Sequence, residues 1–160
     1  MLKVSLRKIK RSDKSSFAAW WRDPALLRLT SGELKRISDK EVDDYFDAIY
    51  KPKDSLEFMI DVGLKTIGHI SLAKRNNGWY ETQIVIGNKK FWGKGYGTKA
   101  ILVLMQRARR LGFHKVFLEV RPTNARAIRS YEKSGFVPKR IKKYPKNKNL
   151  SETLRMEREI

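Results

Sequence analysis

The sequence predicts a mixed α/β (α+β) fold in one domain, with a central, mostly antiparallel twisted sheet of about seven strands flanked by about four helices. Three observations carry that expectation. Short segments in which apolar and polar residues alternate occur near both ends of the chain and in its middle, the period of a half-buried strand. Between Leu56 and Ile86 three such segments are separated by tight-turn signals, which gives an antiparallel meander. A strand, a glycine-rich loop, a long amphipathic helix and another strand then follow one another, which makes a βαβ crossover and a locally parallel pair. The 160 residues suit one domain, and no repeat or linker divides residues 1–160.

Leu2, Val4 and Leu6 alternate with Lys3, Ser5 and Arg7 as the first strand. A helix follows: Ser12 or Asp13 can cap it, Phe17, Trp20 and Trp21 recur at helical spacing, and Asp23-Pro24 ends it. Ser38-Asp39-Lys40-Glu41 is a capping box that starts a second helix, whose buried face is Val42, Tyr45, Phe46 and Ile49. The meander strands are Leu56 to Val62, Thr66 to Ala73 and Tyr80 to Ile86. Gly63 makes the first turn, and Asn77-Gly78 is a two-residue hairpin signal for the second. The long helix after Gly87 carries Ile101, Leu104, Met105, Ala108 and Leu111 on one face, with Gly112 placed to stop it. Val116, Leu118 and Val120 alternate as the next strand. Asn124 can cap a last helix that runs to Gly135 with Ala127, Ile128 and Tyr131 inward, and Phe136 to Arg140 and Ser151 to Glu157 close the sheet.

Thirty-six Lys and Arg against 17 Asp and Glu leave a net charge of +19, on a chain that is 41% hydrophobic with four Trp, six Tyr and seven Phe. That much apolar material excludes a disordered basic tail, and the charge calls for an anionic partner: nucleic acid, an acidic surface or a phosphate-rich ligand. The lack of Cys excludes disulfides, thiolate metal sites and a Cys nucleophile. His69 and His114 lack the short spacing of a metal site, so no metal is expected. Met1 to Arg7 has no signal-like apolar run and no stretch reaches the roughly 20 apolar residues of a membrane span, so a cytoplasmic protein without a membrane partner is expected.

The densest chemical signal is Phe91-Trp92-Gly93-Lys94-Gly95-Tyr96-Gly97-Thr98-Lys99. Three glycines at alternate positions let the backbone approach a ligand, and the helix that follows aims its free N–H groups and positive dipole end back at the loop, a geometry that binds phosphate. The order Gly97-Thr98-Lys99 excludes a P-loop, which needs Gly-Lys-Ser/Thr. Gly95-x-Gly97-x-x-Ala100, with Glu119 further on, fits a dinucleotide fingerprint, yet that loop should leave its strand at once, whereas Gly87 to Trp92 intervene here.

The segment Trp92-Gly93-Lys94-Gly95-Tyr96-Gly97 resembles the [QR]-x-x-G-x-[GA] signature of the GNAT superfamily of N-acetyltransferases, with Trp92 in place of the usual Gln or Arg. Asn124 to Phe136 is similar to the family's N-x-x-A-x-x-x-Y-x-x-x-G-F segment. The Trp-Gly-Lys-Gly-Tyr form and Trp21-Arg22-Asp23-Pro24 look like the branch that includes ribosomal-protein alanine acetyltransferases. The resemblance implies the GNAT fold, splayed at the parallel fourth and fifth strands, and acetyl-CoA as co-substrate. Trp92, Gly93, Lys94, Gly95, Tyr96, Gly97 and Thr98 would hold the pyrophosphate, with Lys99 adding charge. Val85 and Ile86 would pair with the pantetheine arm, and Asn124 would contact it. Tyr131 is implied as proton donor to the departing thiolate, and Glu81 as the base, with a backbone N–H near Ile86 for the oxyanion. On spacing alone, Tyr131 also fits a core aromatic and Glu81 a solvated strand residue.

The acceptor side is expected from the first two helices and from Lys139 to Lys148, read as a loop with six basic residues in ten. The resemblance implies a primary amine acceptor: a protein N-terminus, a small amine or an amino sugar. The net charge disfavours a polyamine unless Asp43, Asp44 and Asp47 form a local acidic pocket. The basic segment suits CoA, an acidic acceptor or a ribosomal particle. The alternative is a non-catalytic nucleic-acid- or ribosome-binding module on the same scaffold, and either is expected as a monomer or a homodimer.

Overall fold

The computed structural model describes residues 1–160. Val4 and Leu6 are buried and Ser5 and Lys8 exposed, so the first alternating segment becomes β1 (Val4–Lys8). It pairs with β2 (Ser55–Val62), which continues through β3 (Lys65–Lys74) to β4 (Trp79–Ile86) as the expected antiparallel meander. β5 (Lys115–Val120), β6 (Val137–Lys143) and β7 (Glu152–Glu159) complete one sheet in the order β1-β2-β3-β4-β5-β7-β6. Four residues join β3 to β4: the Arg75 N–H donates to the Trp79 carbonyl at 2.8 Å and closes a loop of three, Asn76–Gly78, and not the two-residue loop expected. Asn77 (φ 58°) and Gly78 (φ 78°) both take the left-handed conformation that the Asn-Gly pair favours, with Asn76 as the extra residue.

All neighbouring strands are antiparallel except β4 and β5. Their parallel pairing is confined to Trp79 with Lys115, Tyr80 with Val116 and Glu81 with Phe117. Beyond that point β5 continues along β7 as far as Val120, while Thr82 to Ile86 of β4 keep only β3 as a partner. A cleft opens there, and the edge of β4 facing it has unpaired backbone groups.

Five helices cover the sheet: α1 (Lys14–Trp21), α2 (Pro24–Leu29), α3 (Asp39–Tyr50), α4 (Tyr96–Arg110) and α5 (Ala125–Lys133). On one face Ile101, Leu104, Met105 and Ala108 of α4 pack on Ile60, Ile70, Leu72, Leu118 and Met156, and Ile128 and Tyr131 of α5 join them. Leu111 does not extend this stripe. It lies beyond the last turn of α4 and is exposed. On the opposite face Phe17 of α1 and Phe46 of α3 close over Met59. The α3 capping box forms as expected, with Val42 and Phe46 buried, whereas Tyr45 stays half exposed with its ring edge against Trp21.

Three further expectations are corrected. Asp23-Pro24 does not merely end α1: the Asp23 carboxylate accepts the Ala25 N–H at 2.9 Å, and Pro24, with its fixed φ and absent donor, begins α2. Asp13 puts no side-chain bond on α1. Its carboxylate turns inward, accepting the Lys10 N–H at 2.7 Å and two Arg7 N–H groups at 2.8 and 2.9 Å. Burial by itself would lift that carboxyl, but the Arg7 guanidinium and the Lys10 N–H hold it below the usual carboxylate range. Finally, the first half of Lys139 to Lys148 is not a loop. Lys139 to Lys143 belong to β6, whose outer side is the free edge of the sheet.

Candidate active site

The glycine-rich segment stands where the end of β4 meets the start of α4. Gly93 (φ 70°) and Gly95 (φ 83°) take left-handed conformations that side chains beyond glycine adopt only with strain, and Gly95 is the N-cap of α4. None of the six backbone N–H groups from Gly93 to Thr98 has an acceptor within the chain. The first amide in this segment to find one is Lys99, bonded to the Gly95 carbonyl at 3.1 Å. Those free donors coincide with the positive end of a 15-residue helix, and Lys94 and Lys99 are exposed around them. The segment Phe91 to Lys99 contains no carboxylate, and such a cradle suits two linked phosphates.

Side chains hold the cradle against the cleft. The Trp92 indole N–H donates to the Ile86 carbonyl at 2.7 Å. Trp92 thus anchors the loop to the end of β4, a structural contact where the family signature has Gln or Arg. The Arg126 guanidinium lies 4.1 Å from the centre of the Trp92 ring and brings a cation from α5. The Thr98 hydroxyl bonds to Ser130 Oγ at 2.8 Å and ties the first turn of α4 to α5. A Cβ on Gly97 would contact Ile84 and Ile86 at 4.0 and 3.8 Å, so this turn rests directly on the free half of β4. Asn124 caps α5 through Ala127 N–H at 3.3 Å, and its amide also reaches the Leu29 carbonyl at 3.4 Å.

Tyr131 packs on the α4 side of the sheet, its ring edge toward Phe136. The residue keeps some exposed surface, but the phenol group is withdrawn from water, and burial pushes its pKa up to about 12. It therefore remains a hydrogen-bond donor across the whole physiological range. Thr82, the first β4 residue past the last β4–β5 pair, is 2% exposed, and its hydroxyl has no hydrogen-bond partner within the chain.

Glu81 lies on the other face, because side chains alternate along β4. Its carboxylate accepts from Arg75 Nε at 2.9 Å and lies in a cavity of about 270 Å³ with Asp54, Glu57, Ser71 and Gln83. Strand register extends this acidic character across the sheet: Glu81 is level with Phe117, and Phe117 with Glu157, while Glu119 is two residues along β5. Glu57 meets His69 Nε2 at 3.2 Å, Glu119 accepts from the Thr153 hydroxyl at 2.6 Å and from Tyr144, and Glu157 pairs with Arg155 at 2.7 Å. The bond to Glu119, then burial and the charges of Glu119 and Glu81, push the Tyr144 phenol up to about 12. Five carboxylates thus gather with Arg75 and Arg155 on one face of a chain whose net charge is +19. Asp43 and Asp44, which with Asp47 could offset the charge for a polyamine, are instead engaged by lysines: Asp43 pairs with Lys14 and Asp44 with Lys40 on exposed helix surface.

The proposed residues therefore fall into two groups. Val85, Ile86 and Trp92 to Thr98 adjoin the cleft together with Asn124 and Tyr131 on the α5 side. Glu81 belongs to the opposite face, which the cleft opens to. Sequence reading missed Arg126 and Ser130, although both lie inside the Asn124 to Phe136 segment. It also missed Trp20, whose indole presses on Gly87 so closely that a Cβ there would stand 2.1 Å from it.

Comparisons with known proteins agree with this architecture. The profile of the acetyltransferase (GNAT) domain matches residues 3–137. An uncharacterized protein of Methanocaldococcus jannaschii is 21% identical over 94% of the chain, and the chain spans 31% of that relative's length. The structure of AAC(6')-Ib with ribostamycin and coenzyme A superposes with a TM-score of 0.84 at 20% identity, over 98% of this chain and 93% of that one. Spermidine N-acetyltransferase of Vibrio cholerae, solved with CoA and spermine, gives 0.83 at 22% identity, over 98% and 95% of the two chains. The sheet order, the β4–β5 cleft and the profile match establish that this chain belongs to the GNAT acetyltransferase family.

Proposed function

We propose that the protein is an acetyl-CoA-dependent N-acetyltransferase that passes the acetyl group directly to a primary amine. The row of six free N–H groups from Gly93 to Thr98, at the mouth of the β4–β5 cleft, carries this reading. Those amides would hold the pyrophosphate, with Lys94, Lys99 and Arg126 adding charge, and the strand edge at Val85 and Ile86, apart from the Ile86 carbonyl that Trp92 occupies, would bond the pantetheine amides as an added strand. Glu81 would take the proton of the amine, directly or through a water. Tyr131 would donate a hydrogen bond to the departing sulfur. With a pKa near 12 against about 8.5 for an ordinary thiol, the phenol is by far the weaker acid. Its part is to stabilise charge on sulfur: the amine proton goes to Glu81, the C–S bond breaks, and CoA leaves as the thiolate, which is protonated from solvent.

The carboxylates beside Glu81 favour a cationic acceptor. Asp54 and Glu57 can hold further ammonium groups of the same molecule, as the multiply charged ligands of the two structural relatives would require. This favours a small polyamine or amino sugar over the protein N-terminus that the Trp-Gly-Lys-Gly-Tyr segment suggests. Calorimetry with acetyl-CoA, followed by thiol release over spermidine, kanamycin and an Ala-terminated peptide, tests both levels. Micromolar acetyl-CoA binding and turnover of an amine are expected, and no binding sinks the enzyme. The basic edge of β6, with Lys139, Arg140, Lys142 and Lys143, favours a second reading as a nucleic-acid- or ribosome-binding module. Steeply salt-dependent RNA binding without CoA affinity would decide for it.

A further inference from the structure

Arg121 directly follows β5, and its guanidinium joins two segments distant in sequence. Nε and Nη2 donate to the Thr30 carbonyl at 3.2 and 2.9 Å, and Nη2 also donates to the Asn149 carbonyl at 2.9 Å. Thr30 is the C-cap of α2, and Asn149 lies in the connection between β6 and β7. Gly32 fits against this junction. A Cβ there would stand 2.6 Å from Arg121 Nη2 and 2.7 Å from the Asn149 oxygen, and its φ of 75° strains any other residue. The segment that Arg121 grips is held at its other end to the residues just after β4, by Trp20 packed on Gly87 and by the Asp23 to Lys89 ion pair at 2.9 Å. Residues 20–32 therefore bridge β4 and β5 where those strands share no hydrogen bonds of their own.

We propose that Arg121 is a positioning residue for the amine. Its fork pins the α2 end and the β6–β7 connection to the β5 side of the cleft, which fixes the acceptor opening without touching the cradle. The proposal rests on the acetyltransferase reading for its kinetic consequence but not for its structural one. A planar guanidinium can serve two carbonyls and keep its direction, whereas an ammonium is a point charge on a flexible stem, so Lys restores the junction only in part.

The test uses the full chain with Arg121→Met, Arg121→Lys, Gly32→Val and the Arg121→Met/Gly32→Val double variant. For whichever of spermidine, kanamycin or the Ala-terminated peptide is turned over fastest, Arg121→Met and Gly32→Val should each raise amine KM by about tenfold, while the acetyl-CoA Kd stays within about twofold. Arg121→Lys should fall between wild type and Arg121→Met. The double variant should be no worse than either single one, because both break the same junction. Amide hydrogen exchange should rise in residues 23–33 and 144–150 together, with α4 unchanged. Unchanged KM, or faster exchange in only one of the two segments, overturns the proposal. If wild type binds no acetyl-CoA, the acetyltransferase reading fails separately, and the paired exchange response still decides whether Arg121 joins the segments.

Discussion

The cradle side of the cleft comes from one contiguous segment, whereas the acidic face collects Asp54, Glu57, Glu81, Glu119 and Glu157 from four strands and the turn before β2. The two also differ in how they make charge complementarity. The cradle presents backbone N–H groups that a helix start leaves free, so its positive character depends on chain path more than on side-chain identity. The acidic face uses side chains whose mutual repulsion is relieved by Arg75, Arg155, His69 and two hydroxyls. A chain of net charge +19 can keep an acidic cluster beside a region of free N–H donors because low-dielectric walls keep the two fields local.

Variants that strike one side and spare the other sharpen this contrast. The largest effect is expected from Tyr131→Phe: kcat should fall by about 100-fold while acetyl-CoA Kd hardly moves, and a fully active variant would remove the phenol from the chemistry. The same variant has a signature in stability. Tyr131 has a folded pKa of about 12 against an ordinary value of 10, so its contribution is complete below pH 10 and is lost as pH rises toward 12. Denaturation at pH 9 and pH 11.5 should show a smaller alkaline loss in Tyr131→Phe than in wild type. Next in size, Gly95→Val forces a β-branched residue to φ 83° and should weaken acetyl-CoA binding by about tenfold in calorimetry, with amine KM preserved. The reciprocal variant, Asp54→Asn, should raise KM for a multiply charged amine by about threefold at low salt and leave acetyl-CoA binding intact. That effect should fade at high salt, and its absence at low salt would argue against a cationic acceptor. Smallest, Thr82→Val replaces a buried hydroxyl without a partner by a methyl of the same shape. It should keep or raise Tm by a few degrees, as a thermal melt would record, since that hydroxyl contributes no bond to the folded chain.

The elements that were legible in the sequence are those with a local cause. Alternation in Val4 to Lys8, the Ser38 to Glu41 capping box and the apolar stripe of α4 each depend on residues within one or two turns of one another. Pro24 misled because the same ring that closes one helix is suited to open the next. Asp13 misled because its partner, Arg7, lies on a neighbouring strand and outcompetes the helix start. The strand expected to stop at Arg140 runs on to Lys143, and Ile141 to Lys143 read as loop because an edge strand with its face in water carries no apolar period.

By itself the sequence determined the chain order of the strands and of every helix but α2, the glycine turn before α4 whose N–H groups stay free, and the placement of Tyr131 on the inner face of α5, since these depend on short-range periodicity and backbone conformation. Only the tertiary structure decided where β4 and β5 part and that Glu57, Glu81, Glu119 and Glu157 share a face. It also decided that Trp92 turns to the Ile86 carbonyl and that Arg121 holds Thr30 and Asn149 together. Those contacts join residues separated by up to 91 positions, and strand register, which no single segment encodes, brings them within bonding distance.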